Sequence, residues 1–152
     1  MSLVNLNGTF KESNSLSIDA ANSALRYGFG LFETMFVEAG HIFLATYHWE
    51  RLFDGLEKLD FAIPDFFTRD HLEAEVLKTV RRNGLERLCR VRLQLFTEMN
   101  GVFPQEKKQP HFLVECFALE PAAYEWNENG WICGLAEGLY KSNDRYSNLK
   151  TS

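Results

Sequence analysis

Two pairs of basic side chains have spacings that place both members on one face of a regular element. His48 and Arg51 are three residues apart in a segment with a helical apolar stripe, so they share a helix face. That face is ordinarily solvated, but the forked guanidinium of Arg51 is also suited to phosphate oxygens. Arg90 and Arg92 alternate along a predicted strand, where they either form solvated sheet surface or bind a carboxylate in a cleft.

Two further charged residues, Glu33 and Lys150, are candidates on weaker grounds. Glu33 lies in apolar surroundings, between Phe32 and Met35. Because an unpaired buried carboxylate is costly, Glu33 is either on the solvated face of its strand or held by a partner. Lys150 lies in a polar stretch, and its surroundings by themselves predict only a solvated lysine.

The composition is that of a globular domain and excludes several classes of function. The 152 residues are 45% hydrophobic and 24% charged, which suits one domain with its own core. The net charge of −5 provides no cationic surplus for binding nucleic acid. No apolar stretch approaches the roughly 20 residues of a membrane span, and the N-terminus lacks the features of a signal peptide. The sequence therefore predicts a cytoplasmic protein that binds neither nucleic acid nor membranes.

Metal and dinucleotide sites are not predicted. The three cysteines, Cys89, Cys116 and Cys133, have neither CxxC nor histidine-paired spacing, and their odd number does not suit a disulfide framework. They are interpreted as free thiols in a reducing compartment. The stretch Gly28-Phe29-Gly30 lacks the third glycine of a dinucleotide loop, and a predicted strand follows it where such a loop requires a helix.

The elements that must position these side chains follow from changes in the period of the apolar residues. The pattern predicts a hairpin over 3–11 turning at Asn7-Gly8, helical turns over 19–26, strands over 31–38 and 41–45, helices over 47–61 and 69–83, and strands over 88–96, 111–119 and 131–137. Thr68 is the predicted N-cap of the second long helix, and Gly84 ends it. We therefore predict an α+β fold, a largely antiparallel sheet with two helices on one face, over parallel βαβ units.

Three stretches of the chain resemble motifs of the class IV aminotransferases, the fold-type IV pyridoxal-phosphate enzymes. Residues 26–34, RYGFGLFET, are similar to the family's R-x-G-D-G-x-F-E-T block. Residues 48–52, HWERL, resemble its H-x-x-R-L helix motif, and residues 147–151, SNLKT, resemble the segment that holds the cofactor lysine. The order and separation of the three stretches also fit this family, which includes branched-chain and D-amino-acid aminotransferases and 4-amino-4-deoxychorismate lyase.

The resemblance implies pyridoxal 5'-phosphate as the cofactor and gives individual residues a role. Lys150 would bond to the cofactor and later move a proton as acid and base. Arg51 would bind the cofactor phosphate. The candidates for substrate binding, of which the two arginines would lie near a domain interface, are Tyr27, Phe32, Glu33, Arg90 and Arg92.

The resemblance implies a homodimeric enzyme that transfers an amino group between an amino acid and a 2-oxo acid, as branched-chain aminotransferases do. A 4-amino-4-deoxychorismate lyase stays open as an alternative, because it would use the same lysine and phosphate anchor. A non-catalytic α+β module derived from the family is a third possibility. Phe29 replaces the aspartate of the family's G-D-G turn, and Thr97 stands near a position where many relatives have a substrate-binding arginine.

The resemblance also implies a division of the chain. Residues 1–119 would form a small N-terminal α+β domain, 120–130 a linker, and 131–152 the start of an incomplete cofactor-binding domain. Family members continue past the lysine into a second domain, so we expect an N-terminal fragment. In such a fragment Lys150 would lie on an undocked tail, and the fragment alone would bind the cofactor poorly and be inactive.

Overall fold

A computed structural model describes residues 2–20, 22–97, 109–120 and 126–151, with the elements in the order expected for an α+β domain. The strands and helices are β1 (Leu3–Leu6), β2 (Thr9–Glu12), α1 (Ser23–Tyr27), β3 (Gly30–Glu38), β4 (His41–Ile42), α2 (Ala45–Lys58), α3 (Arg69–Arg82), β5 (Leu88–Phe96) and β6 (His111–Ala118).

The strands form one six-stranded antiparallel sheet in the order β2-β1-β6-β5-β3-β4. Helix α2 packs on β3, and α3 packs across β1, β5 and β6. The predicted α+β fold, a largely antiparallel sheet with two helices on one face, is therefore confirmed. Between the helices and the sheet lies the main core, which includes Met35, Leu52, Leu56, Val76, Val91 and Leu93.

Local signals in the sequence account for three of the element boundaries. The first hairpin turns at Asn7-Gly8, whose φ angles of 51° and 83° are both positive, as a tight two-residue hairpin turn requires. The Thr68 hydroxyl accepts a hydrogen bond from the backbone N–H of His71 and caps α3 as predicted. Gly84 follows the end of α3 with φ of 65°. These boundaries depend on contacts within a few residues, so the sequence predicts them well.

The prediction of a strand over 41–45 is wrong beyond Ile42. Phe43 and Leu44 form a turn, and Leu44 adopts a left-handed φ of 54° directly before α2. The helix therefore begins at Ala45, two residues earlier than predicted, and it ends at Lys58 because the chain turns at Asp60 with φ of 56°. This turn directs Phe61 into the core.

The second face of the sheet is only partly covered. At one end Val4, Phe96 and Leu113 form a smaller core, against which Leu16 and Ala24 pack from the segment between β2 and β3. Further along the same face Phe36 and Phe117 keep 41% and 39% of their surface exposed. The sheet therefore presents an open surface opposite its helices.

The strand predicted over 131–137 is also wrong. This segment has no regular structure, and Trp131, Ile132 and Leu135 are almost fully exposed. A strand requires a neighbour for its backbone N–H and C=O groups, and no described strand pairs with this segment. The division into residues 1–119, 120–130 and 131–152 stays a prediction.

The chain returns to the domain after this exposed segment. Leu149 packs against the main core, and Leu31 and Thr151 form an antiparallel bridge. The Phe32 backbone N–H donates a hydrogen bond of 2.9 Å to the carbonyl oxygen of Lys150. The expectation of an undocked tail around Lys150 is therefore wrong, because backbone pairing with β3 and an apolar anchor hold this segment.

The cysteines agree with the sequence analysis, which interpreted them as free thiols. Cys89 and Cys116 are buried free thiols, and Cys133 is an exposed one. Within the described ranges no cluster of histidine, cysteine or acidic side chains is suited to a metal ion. None of the described helices is long and apolar enough to cross a membrane.

Gly55 allows α2 to approach both β3 and the Lys150 segment, and this predicts the effect of Gly55→Ala. An added Cβ would lie 2.9 Å from Leu31 Cδ1 and 3.4 Å from Leu149 Cδ2. Overpacking typically costs about 1–3 kcal/mol, more than the roughly 1 kcal/mol that alanine contributes to helix propensity. We expect a net loss of about 1 kcal/mol in urea unfolding and faster hydrogen exchange of the Phe32 amide.

Gly40→Ala is the matched control for this prediction. Gly40 has φ of 75° with open space around it, so alanine there introduces about 1 kcal/mol of backbone strain without touching Leu149. Its Phe32 amide should keep its parental exchange rate relative to its neighbours. Gly55→Ala protein as stable as the parent, with Phe32 equally protected, would contradict the packing argument.

Candidate functional site

The side chain of Glu33 is a carboxylate buried on the helix-facing side of β3. Leu31, Glu33, Met35 and Val37 alternate along that side, and the first, third and fourth belong to the main core. Glu33 is 1% exposed. A carboxylate in this position requires charged or hydrogen-bonding partners, because burying it alone is costly.

Helix α2 supplies two of these partners from a single face. The Arg51 guanidinium donates two hydrogen bonds to Glu33, from Nε to Oε1 and from Nη2 to Oε2, and each donor–acceptor distance is 2.6 Å. His48 Nδ1 lies 2.7 Å from Oε2. Their spacing of three residues places both on the helix face that is turned to β3. Of the two alternatives for Glu33, the structure therefore shows the one in which partners hold the carboxylate.

The third partner is Lys150. Its Nζ lies 3.7 Å from Glu33 Oε2, the same oxygen that Arg51 Nη2 contacts. Because both nitrogens contact one oxygen atom, Lys150 Nζ and Arg51 Nη2 lie close to each other. Lys150 and Arg51 are about a hundred residues apart in the chain, and the resemblance implied that both bind one cofactor. In the structure they lie side by side, and their side chains are 38% and 37% exposed.

The charge state of Glu33 follows from competing effects. Burial raises the pKa of its carboxyl, but hydrogen bonds from Arg51 and His48 and the charges of Arg51 and Lys150 together bring the pKa below its usual value. The hydrogen bond to Glu33 also raises the pKa of Arg51. The pair is therefore ionised, with the anion inside and part of the guanidinium turned to solvent.

Phe32 and Arg92 lie on the open face of the sheet next to this cluster. The Arg92 guanidinium carbon is 4.0 Å from the centre of the Phe32 ring, and Lys150 Nζ is 5.9 Å from it. Arg90 is farther along β5, over the ring of Phe117 at 4.9 Å. No carboxylate in the described ranges lies within 4.0 Å of either guanidinium.

Tyr27, like Arg90, is a predicted site residue that the structure does not bring to this cluster. It lies at the end of α1, half exposed, and its ring contacts that of Phe29 at 6.1 Å. In the described part of the chain no hydrogen bond, ion pair or ring contact joins it to Glu33, Arg51 or Lys150.

The direct role of His48 in the cluster was not predicted from the sequence. A signal was available, because the alternation of Leu31, Met35 and Val37 places Glu33 on the apolar side of its strand. A carboxylate on that side requires cations from whichever helix covers it. Of the predicted helices, the one over 47–61 has the H-x-x-R-L motif, which places His48 and Arg51 on one face.

The cluster has the chemistry to hold an aldehyde and a phosphate close together. Lys150 provides a primary amine, and Arg51 has one terminal nitrogen, Nη1, with no protein partner in the described ranges. Pyridoxal phosphate carries its aldehyde and its phosphate-bearing arm on adjacent ring carbons. An amine and a guanidinium in neighbouring positions therefore fit this cofactor.

Comparisons with known proteins agree with this geometry. The model of the family described as amino-transferase class IV matches residues 30–151. This chain belongs to the class IV aminotransferases. The match includes Glu33, His48, Arg51 and Lys150, the residues that form the cluster.

Individual relatives of this class IV chain are branched-chain aminotransferases. A putative branched-chain-amino-acid aminotransferase of Methanocaldococcus jannaschii is 32% identical over 80 residues, 53% of this chain and 27% of the relative. The structure of a T.th. branched-chain amino acid aminotransferase with pyridoxamine 5'-phosphate aligns with a TM-score of 0.66 and 27% identity over 79% of this chain and 41% of that one. The Escherichia coli enzyme shares the fold, with a TM-score of 0.68 and 22% identity over 78% and 41%.

The chain thus spans about 41% of the length of these solved structures. The family match and the relatives confirm the resemblance seen in the sequence. They support an enzyme family that uses pyridoxal phosphate, and the roles of individual site residues stay predictions.

The lowered pKa of Glu33 predicts how acid affects stability. The folded state holds Glu33 ionised below the pH at which an unfolded glutamate takes up its proton, about 4.3. Its contribution is complete above that pH and is lost as the pH falls toward the lower folded-state pKa. At pH 7, Glu33→Gln should therefore reduce the free energy of unfolding by about 2 kcal/mol, since it leaves the cations without their anion.

Urea unfolding of the parent and of Glu33→Gln between pH 7 and pH 3 measures this effect. The difference between the two proteins should shrink as the pH falls. Glu57→Gln, an exposed change on α2, controls for the loss of one carboxylate. A difference that stays constant from pH 7 to pH 3 would contradict the assigned charge state.

Proposed function

We propose that this chain forms part of a pyridoxal-phosphate-dependent aminotransferase that moves an amino group between an amino acid and a 2-oxo acid. The observation that carries the proposal is the convergence of Lys150 and Arg51 on the Glu33 carboxylate. Branched-chain aminotransferases among the relatives favour a substrate with an apolar side chain.

In this proposal each side chain has one task. Bound pyridoxal phosphate supplies an electron-withdrawing ring that makes the substrate Cα proton acidic. Lys150 Nζ would hold the cofactor through its aldehyde and would carry the proton from the substrate Cα. Arg51 holds the phosphate and so fixes the ring relative to Lys150.

The open sheet face would receive the substrate. The Phe32 ring lies near both Arg92 and Lys150. The ring can contact an apolar substrate side chain, and the Arg92 guanidinium can pair with a carboxylate. Arg90 lies farther from Lys150 on the same face, beyond a direct contact with a small substrate that is held at Lys150.

The resemblance to the family also implies features that we propose for this protein. They include a homodimer, a cytoplasmic location, a small N-terminal domain over 1–119 and the start of a cofactor domain over 131–152. A 4-amino-4-deoxychorismate lyase would employ the same Lys150 and Arg51, so these residues do not separate the two reactions. Transfer of amino groups to a 2-oxo acid, against release of pyruvate from aminodeoxychorismate, distinguishes them.

The covalent role of Lys150 is tested on the full-length gene product that carries these residues. After incubation with pyridoxal phosphate and reduction with borohydride, peptide mass spectrometry should find the added mass on Lys150. Lys150→Ala should lose the adduct and the amino-transfer activity, whereas the exposed control Lys141→Ala should keep both. An equal yield of adduct on another lysine in Lys150→Ala, or no adduct in the parent, would overturn the proposal.

The carboxylate role of Arg92 is tested in the same protein by steady-state kinetics. Arg92→Met should raise the KM for the oxo acid about tenfold to a hundredfold, because a charge-assisted pair contributes about 1.5–3 kcal/mol. Arg90→Met, which removes a cation from the same sheet face, should change the KM far less. Equal effects of both substitutions would indicate a general electrostatic effect of the face in place of a specific contact.

A further inference from the structure

We infer that Glu33 is a positioning residue that orients Arg51 toward the cofactor phosphate and does not bind substrate. This inference rests on the proposed function of Arg51 as the phosphate anchor. The resemblance implied that Glu33 lines the substrate side of the pocket, and the structure suggests another task.

The geometry leaves Glu33 no free surface for a substrate. It is 1% exposed, and both of its carboxylate oxygens accept hydrogen bonds from Arg51. Its neighbours in the chain, Phe32 and Thr34, point to the opposite side of the sheet because side chains alternate along a strand. Glu33 therefore faces α2, while the proposed substrate surface lies on the other side of β3.

The bidentate contact fixes the plane of the Arg51 guanidinium. Nε and Nη2 are both 2.6 Å from Glu33 oxygens, so the fork cannot rotate without breaking two charge-assisted hydrogen bonds. The remaining terminal nitrogen, Nη1, has no protein partner in the described ranges, and it is held on the side of the guanidinium away from Glu33. A phosphate that binds there meets a donor that is already oriented.

His48 and Lys150 complete the arrangement around the same carboxylate. His48 Nδ1 at 2.7 Å fixes Glu33 from α2, and Lys150 Nζ at 3.7 Å approaches it from the segment paired with β3. Glu33 thus holds the proposed phosphate anchor and the proposed reactive amine in fixed positions relative to each other.

Removing the charge of Glu33 distinguishes a positioning role from a purely electrostatic one, because the two roles predict opposite changes in phosphate affinity. If the carboxylate acted only as a nearby negative charge, Glu33→Gln would strengthen the binding of a phosphate anion. If it positions Arg51, Glu33→Gln weakens phosphate binding although a repulsive charge has been removed. We expect a loss of about tenfold.

The experiment measures binding without covalent chemistry at Lys150. Pyridoxine 5'-phosphate lacks the aldehyde, and pyridoxine lacks the phosphate as well. The Kd of pyridoxine divided by the Kd of pyridoxine 5'-phosphate therefore gives the contribution of the phosphate, and a lower ratio means weaker phosphate binding. The ratio is determined by titration calorimetry on the full-length gene product for the parent, Glu33→Gln, Arg51→Ala and the double variant. Glu33→Gln should lower the ratio in the parent background and leave it unchanged in the Arg51→Ala background.

A matched carboxylate elsewhere controls for general loss of stability. Glu75 on α3 accepts a hydrogen bond from Asn5 at 2.6 Å and one from Lys78 at 3.1 Å, and its side chain is 13% exposed. Glu75→Gln should destabilise the protein without changing the ratio. If Glu33→Gln does not fold, Glu33→Asp keeps the charge but shortens the reach by one methylene, and it should also lower the ratio.

The outcomes distinguish this inference from the proposed function. An unchanged ratio in Arg51→Ala would overturn Arg51 as the phosphate anchor, and with it the proposed function. A lower ratio in Arg51→Ala, together with an unchanged or higher ratio in Glu33→Gln, would overturn the positioning role alone. Equal losses from Glu33→Gln with and without Arg51 would overturn it as well, because Glu33 would then act independently of Arg51.

Discussion

The contact between the buried carboxylate of Glu33 and the cations around it constrains the rest of this structure. An ionised glutamate on the core side of a strand is tolerated only with charged partners. Arg51 and His48 come from α2, and Lys150 comes from a distant part of the chain. Helix, strand and terminal segment therefore have to meet at one point. The family match spans all three elements.

The alternation of side chains along β3 gives its two faces different properties. One face buries Glu33 among apolar residues beneath α2, and the other presents Phe32 beside Arg92. The two environments belong to consecutive residues of the chain, Phe32 and Glu33. Gly55 adds a steric condition, because α2 lies so close to Leu31 that a Cβ would collide with it. Close packing of α2 on one face of β3 thus fixes the position of the strand, and with it the position of Phe32 on the other face.

Local signals predicted the elements well and their long-range contacts poorly. The turn at Asn7-Gly8 and the cap at Thr68 depend on neighbours a few residues away, so both could be predicted. The strand over 131–137 had a suitable pattern, but strand formation requires a partner and none of the described strands pairs with it. The docking of Lys150 was missed for the same reason, since its backbone partner, Phe32, is more than a hundred residues earlier.

The sequence by itself determined the element order, the α+β class and the family, because periodicity, turn residues and motif spacing are all properties of the chain. It also identified Lys150 and Arg51 as candidates through motifs. It left open whether Glu33 faces water or a partner, and whether Arg51 points inward. Only the tertiary structure decided these points, since the pairing of a buried charge depends on which helix covers the strand and how closely it packs.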